Sequence, residues 1–267
     1  MKLGIYYHCC EGLDDRTRIS LMQKNNFECT FLHSSSERLY EETELLREAG
    51  ICIESLHAPF PTADGRGIDD IWETGEWGED ALSELLDCLE KCVRCEAETL
   101  VVHPTSTWRP QYPSEIGLLR LQRFFDRARE LGVTVAFENV CLFEILSYLL
   151  GQFPEAGFCW DSGHEGLEHK RIRHMPLFAS RLKALHLHDN NLRSGDLHLL
   201  PYDGQIGFGR VVRQIAQSSY EGSVMLEVKK SWGRLYDPLS PAGYYEYAGK
   251  AAALIDRKIA EIRAEKK

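Results

Sequence analysis

Long hydrophobic runs are absent from this 267-residue chain. No stretch of about 18 apolar residues occurs, so no transmembrane helix is expected. The opening "MKLGIYYHCC" turns polar too soon for a secretory leader. Basic residues are short relative to acidic ones, 31 Lys and Arg against 41 Asp and Glu, for a formal charge of −10. That balance argues against a broad, non-specific nucleic-acid surface, though not against a local basic groove. There is no low-complexity linker and no repeat beyond an alternation of short apolar and longer helix-like segments. Cysteine is not scarce: there are nine. The odd count without a leader predicts reduced thiols in a cytoplasmic protein.

Cys88, Cys92 and Cys95 stand at i, i+4 and i+7 in "EDALSELLDCLEKCVRCEAE". One stripe of small apolar side chains facing a core accounts for that spacing, and a structural zinc site would want a fourth ligand nearby.

Eight short runs read as buried parallel strands, rich in β-branched, aromatic and leucine residues. They are "LGIYYH" from Leu3, "ECTFLH" from Glu28, "ICIESLHA" from Ile51, "TLVVHP" from Thr99, "VTVAFEN" from Val133, "AGFCWD" from Ala156, "LKALHLHD" from Leu182 and "SVMLEVK" from Ser223. Helical segments separate them. In the one from Pro113, Ile116, Leu119, Phe124 and Leu131 are expected on a single face, with Gly132 as the stop. The last begins at Pro241, suited to a first turn, and ends in basic residues, suited to a helix C-terminus. Eight βα units predict one (β/α)8 TIM barrel over residues 1–267, with an open doubly wound sheet as the alternative.

Six successive strands close on metal-competent side chains: His57, His103, Glu138, Asp161 followed by His164, His186 with His188, and Glu227. "GDLHLLPYDGQIGFG" adds Asp196 and His198. In a parallel barrel all strand C-termini open on one face, so these groups should converge. A single such residue is ordinarily a hydrogen-bonded structural group. Buried carboxylates in a cluster, however, repel one another unless a cation neutralises them. Mixed nitrogen and oxygen donors suit zinc, manganese or cobalt. His8 and His33 end the first two strands without a flanking motif and are read as structural.

The ordered motifs "LHAPF", "LVVHPT", "VAFEN", "GFCWDSGH", "LHLHDN", "GDLHLLPYDGQIGFG" and "VMLEVK", running from about Ile51 to Lys229, resemble the xylose isomerase-like TIM-barrel superfamily. That superfamily holds sugar and sugar-phosphate isomerases and epimerases together with endonuclease-four type AP endonucleases. In the epimerase branch the resemblance implies one divalent metal on Glu138, Asp161, His186 and Glu227. Glu138 and Glu227 would act as acid and base for proton transfer beside a carbonyl, through an enediolate-type intermediate. His57, His103, His164, His188, Asp196 and His198 would bind substrate or further metal. The expected partner is a small-molecule sugar or sugar phosphate, with no membrane role and with self-association as relatives often show.

The nuclease branch is the alternative. Its trinuclear zinc ligands match His57, His103, Glu138, Asp161, His164, His186, Asp196, His198 and Glu227 by type. Against it, "VCLFEIL" replaces the nuclease's glycine-rich stretch after "EN", and "GRGIDDIWETGEWGED" looks more like a sugar-enzyme loop. A non-catalytic sugar-binding barrel is the second alternative. Trp108, Trp160 and Trp232 lie beside the strand ends, either as sugar platforms or as filling of the barrel mouth. Lys229 and Arg234 are read as solvated loop charges, with an anion anchor as the other use.

Overall fold

The computed structural model describes residues 1–60, 66–105, 111–140, 142–167, 172–193, 195–232 and 234–265. All eight expected strands are present: β1 Leu3–Ile5, β2 Cys29–His33, β3 Cys52–His57, β4 Thr99–Val102, β5 Thr134–Glu138, β6 Gly157–Asp161, β7 Leu182–His186 and β8 Val224–Leu226. Every pairing is parallel, in the order β7-β6-β5-β4-β3-β2-β1-β8. A parallel bridge between Leu187 and Leu226 joins the two ends, with Leu187 N donating to Met225 O at 2.9 Å and Glu227 N to Leu187 O at 3.1 Å. The sheet is therefore a barrel and not the open doubly wound alternative.

Helices fill the connections: α1 Asp15–Lys24, α2 Leu39–Glu48, α3 Glu76–Cys95, α4 Glu115–Leu131, α5 Phe143–Gln152, α6 Ser162–Leu167, α7 Met175–Phe178, α8 Phe208–Gln217 and α9 Pro241–Ala264. Local chemistry sets their ends. Ser114 caps α4 by accepting from Gly117 N, and Gly132 stops it in the left-handed region at φ 71°. Ser240 caps α9 ahead of Pro241 in the first turn.

The expected face of α4 needs correction. Gly117, Leu121, Phe124 and Ala128 are buried, whereas Leu119 is 68% exposed. At 100° per residue, Leu119 lies 140° around the helix from Phe124, too far to share its face. Cys88, Cys92 and Cys95 do face the core of α3. There Cys88 Sγ meets Ser34 Oγ at 3.3 Å, and Thr43 Oγ1 donates to Cys95 at 3.3 Å.

Strand parity positions the site. Val101, Ala136, Cys159 and Ala184 form a separate small cluster of buried residues, contributed by β4, β5, β6 and β7. Side chains two residues apart share a strand face. The next residues on that face toward the C-terminal rim are His103, Glu138, Asp161 and His186. A layer of small side chains thus leaves the polar rim room to close inward.

Candidate metal centre

The rim brings together His57, His103, Glu138, Asp161, His164, His186, His188, Asp196, His198 and Glu227. His186, at the end of β7, places Nδ1 3.0 Å from Glu138 Oε2 and 3.2 Å from Glu227 Oε2. Glu138 Oε2 also lies 3.3 Å from His57 Nε2 and 3.6 Å from His103 Nε2, while its Oε1 is 3.0 Å from His164 Nδ1. Asp161 accepts from His164 N at 2.6 Å and lies 3.0 Å from His188 Nε2. Asp196 Oδ2 bridges His164 Nε2 at 3.1 Å and His198 Nε2 at 3.0 Å. Glu138, Asp161, His186 and Glu227 are all buried, and their donor atoms lie within 4.8 Å of one another. Three smaller groups meet the same limit: His57, Glu138 and His186; Asp161, His164 and His188; and His188, His198 and Glu227.

Many of these contacts are short without being hydrogen bonds. Glu138 Oε1, Glu227 Oε2, both ring nitrogens of His186, His164 Nδ1 and His188 Nδ1 are buried with no hydrogen-bond partner. Native interiors leave only a few such orphans per hundred residues, so a cluster of them at one place calls for an explanation. A divalent cation among them would take up the free lone pairs and offset the carboxylate charge, and the mixed nitrogen and oxygen donors fit zinc or manganese.

The electrostatics favour anionic glutamates. Burial alone would raise Glu138, but His186 and His103 outweigh it and hold the carboxyl well below the usual range. Burial likewise opposes ionisation of Glu227, and His186 again prevails. Asp161 goes the other way, raised by burial.

A supporting shell fixes these groups. Asn139 donates to Asp161 O at 2.9 Å and accepts from Asp161 N at 2.8 Å. Asn190 donates to Asp196 at 3.0 Å and accepts from Leu197 N at 2.6 Å. Ser162 Oγ donates to His188 O at 2.8 Å. A Cβ on Gly163 would clash with the His188 ring, Cε1 nearest, so glycine is what lets α6 start this close. Asp189 accepts from Asn190, Gly204 and Ile206 N, which ties down the loop that follows His198. His198 itself holds a φ of 46°. The sequence reading missed Asn139 and Asn190, although both adjoin motif residues in "FEN" and "HDN".

Aromatic groups wall the opening. Phe60, 45% exposed, sets its ring 4.8 Å from His57 and 5.0 Å from His103. Trp232 meets His198 edge-on at 4.8 Å and carries Lys229 Nζ 3.8 Å from its ring centre. Lys229 is thus half-buried against an aromatic face, not a freely solvated loop charge. Trp160 lies elsewhere. One residue before the inward Asp161, it faces outward, fully buried, and donates from Nε1 to Glu165 at 3.0 Å. It is therefore not a sugar platform. Trp108 lies outside the described residues. His8 pairs with Glu42 at 3.2 Å, and His33 packs among Tyr6, Phe31, His57 and Phe60.

Among the described residues, no helix is long and apolar enough to cross a membrane. A family model for the xylose isomerase-like TIM barrel matches residues 20–251. The uncharacterised protein y4fM of Sinorhizobium fredii is 32% identical over 108 residues, 40% of this chain and 33% of that protein, so the match spans only a third of that relative. D-psicose 3-epimerase from Clostridium cellulolyticum H10, solved with D-tagatose, superposes with a TM-score of 0.78 at 17% identity, covering 97% of this chain and 99% of that one. An IolI protein with a bound zinc atom gives a TM-score of 0.70 at 16% identity, with 99% of each chain covered. At these identities the structures establish a shared fold.

Proposed function

Because the chain belongs to the xylose isomerase-like TIM barrel family, we propose that it is a metal-dependent sugar or sugar-phosphate isomerase or epimerase that moves a proton at a carbon beside a carbonyl. One observation carries the reading. Glu138, Asp161, His186 and Glu227 converge within 4.8 Å, with unpartnered buried lone pairs on both glutamates and on the histidine. These four residues would hold the ion, which supplies Lewis-acid stabilisation of negative charge developing on the substrate's carbonyl oxygen.

The protein's own groups handle the proton. Glu138 ends β5 and Glu227 follows β8, three strands away around the barrel. Both approach the same His186 nitrogen, at 3.0 and 3.2 Å. A carbon held between them can lose a proton to one carboxylate and regain it from the other, on the opposite face for epimerisation. General acid–base catalysis of this kind contributes roughly 10²- to 10⁴-fold. His57, His103, His164, His188, Asp196 and His198 would orient hydroxyls, with Phe60 and Trp232 offering aromatic faces to C–H groups. D-psicose 3-epimerase, solved with D-tagatose, shares this barrel, which supports the assignment to small sugars.

The test is solvent exchange. Protein loaded with zinc, manganese or cobalt is incubated in deuterium oxide with a panel of ketoses and their phosphates, and the protons beside the carbonyl are followed by NMR. Metal-dependent exchange, lost in Glu138→Gln and Glu227→Gln, is expected. Full exchange in variants that still hold metal would refute the acid–base assignment.

A second reading, an endonuclease-four type phosphodiesterase, is favoured by the pairing of further histidines. His57 and His103 both face Glu138, and His164 and His198 both face Asp196. About three metals per chain with rapid incision of abasic DNA would select it over the epimerase.

A further inference from the structure

At the opposite end of the barrel from the rim carboxylates lies a second set of reactive groups. Cys29 opens β2, Cys52 opens β3, and the two are register partners in the parallel sheet. Neighbouring strands stand about 4.8 Å apart, inside the Cα separation of about 4.4–6.8 Å that a disulfide spans. Cys52 is exposed and Cys29 is buried. Lys2 Nζ sits 3.6 Å from Cys52 Sγ. Cys29 Sγ instead faces oxygens, Leu3 O at 3.5 Å and Glu54 Oε2 at 4.0 Å.

These surroundings divide the labour between the sulfurs. An ammonium beside the exposed sulfur favours the thiolate, while burial and a carboxylate keep the second sulfur protonated. We propose that Cys52 and Cys29 form a peroxide-reactive dithiol at the closed end of the barrel, with Cys52 as the attacking thiolate and Cys29 as the resolving thiol. The contacts agree. A hydrogen bond from Cys29 is the chief cause that brings the Cys52 thiol down to about 6, and the same contact pushes Cys29 far up.

The chemistry balances with hydrogen peroxide as the oxidant. The Cys52 thiolate attacks one peroxide oxygen; an S–O bond forms, the O–O bond breaks and hydroxide departs, leaving a sulfenic acid. Cys29 gives its proton to hydroxide and attacks the Cys52 sulfur. The S–S bond forms as the S–O bond breaks. Two electrons pass from the sulfurs to the peroxide, which ends as two waters once the proton released by Cys52 is counted. An added dithiol reverses the bond. The pair is separate from the rim: five residues of β3 at about 3.3 Å each put about 16 Å between Cys52 and His57.

The metal-loaded full chain is alkylated with iodoacetamide from about pH 5 to about pH 9 and mapped by mass spectrometry. Cys52 should react with a midpoint near 6. Hydrogen peroxide should yield a Cys29–Cys52 cross-linked peptide, lighter by two hydrogens, that dithiothreitol reverses. Cys29→Ser should leave Cys52 as a sulfenic acid trapped by dimedone. Lys2→Met, a surface change that does not depend on the buried thiol's packing, should raise the midpoint and slow oxidation several-fold. A Cys52 midpoint at the ordinary thiol value of about 8.5, unmoved by Lys2→Met and with no cross-link under peroxide, overturns the proposal.

Discussion

Glu165 offers a quantitative test of how the rim is held in place. It follows His164 on α6, and its side chain is fully buried. Oε1 accepts from Arg210 Nη1 at 2.7 Å; Oε2 accepts from Trp160 Nε1 at 3.0 Å and His174 N at 2.9 Å. Burial alone would raise this carboxyl, but His174 and Arg210 hold it at about 2. Against an unfolded value of about 4.3, and at about 1.36 kcal/mol per pH unit, the depression stabilises the fold by about 3 kcal/mol. In Glu165→Gln, the amide can still accept from Arg210, but its NH2 must then face the Trp160 and His174 donors. Breaking a buried charged network by changing one member costs about 3–5 kcal/mol, which agrees. At roughly 2–4 °C per kcal/mol for a chain of this size, the Tm should fall by about 6–20 °C.

The sign in pH follows from the depressed value. The contribution is fully present above about pH 4.3 and is lost as pH falls toward 2. The difference in unfolding free energy between wild type and Glu165→Gln, measured by urea titration with metal removed from both, should therefore shrink between about pH 5 and pH 2. Taking the difference cancels the rim carboxylates. A variant within about 1 kcal/mol of wild type at neutral pH, with a pH-independent gap, would refute the network reasoning.

Other outcomes follow from the same geometry. Zinc or manganese at about 100 times its Kd should stabilise the chain by about 2.7 kcal/mol, a Tm rise of about 5–11 °C by scanning calorimetry. Asp161→Asn should abolish that rise, and an unchanged rise would remove Asp161 from the ligand set. Asn139→Ala, which frees the Asp161 backbone, should weaken metal affinity by about 10- to 100-fold in competition titrations with a chelating dye; wild-type affinity would make Asn139 irrelevant to the centre. Gly163→Ala should displace the His188 ring and lower turnover with a wild-type far-UV spectrum, whereas wild-type turnover would show that α6 shifts freely.

The barrel and its rim were legible because parallel strands advertise themselves twice, once by apolar runs and once by the polar residue that ends each run. Eight of the ten selected rim residues share metal-competent groups, and His103 and Asp196 join them through Glu138, His164 and His198, since strand parity that buries Ala136 and Cys159 also directs Glu138 and Asp161 inward. The same parity, applied one residue back, turns Trp160 outward, a consequence the motif "GFCWD" holds but which adjacency to a ligand obscures. Leu119 failed for an arithmetic reason, its angle to Phe124 around the helix. Asn139 and Asn190 were not legible as supports, because their partners are backbone groups and a carboxylate that only the folded loops bring near. The Cys29–Cys52 pair depends on strand register, which a parallel sheet does not reveal until its bulge between Thr30 and Phe31 is placed.

The central claim is that buried carboxylates at the rim surround a divalent cation. Anomalous diffraction from crystals grown with zinc or manganese tests it most directly. A peak about 2.0–2.2 Å from oxygen or nitrogen atoms of Glu138, Asp161, His186 and Glu227 is the expected result. Fully loaded crystals with no peak at the rim, and those four side chains joined instead by direct hydrogen bonds, would contradict it.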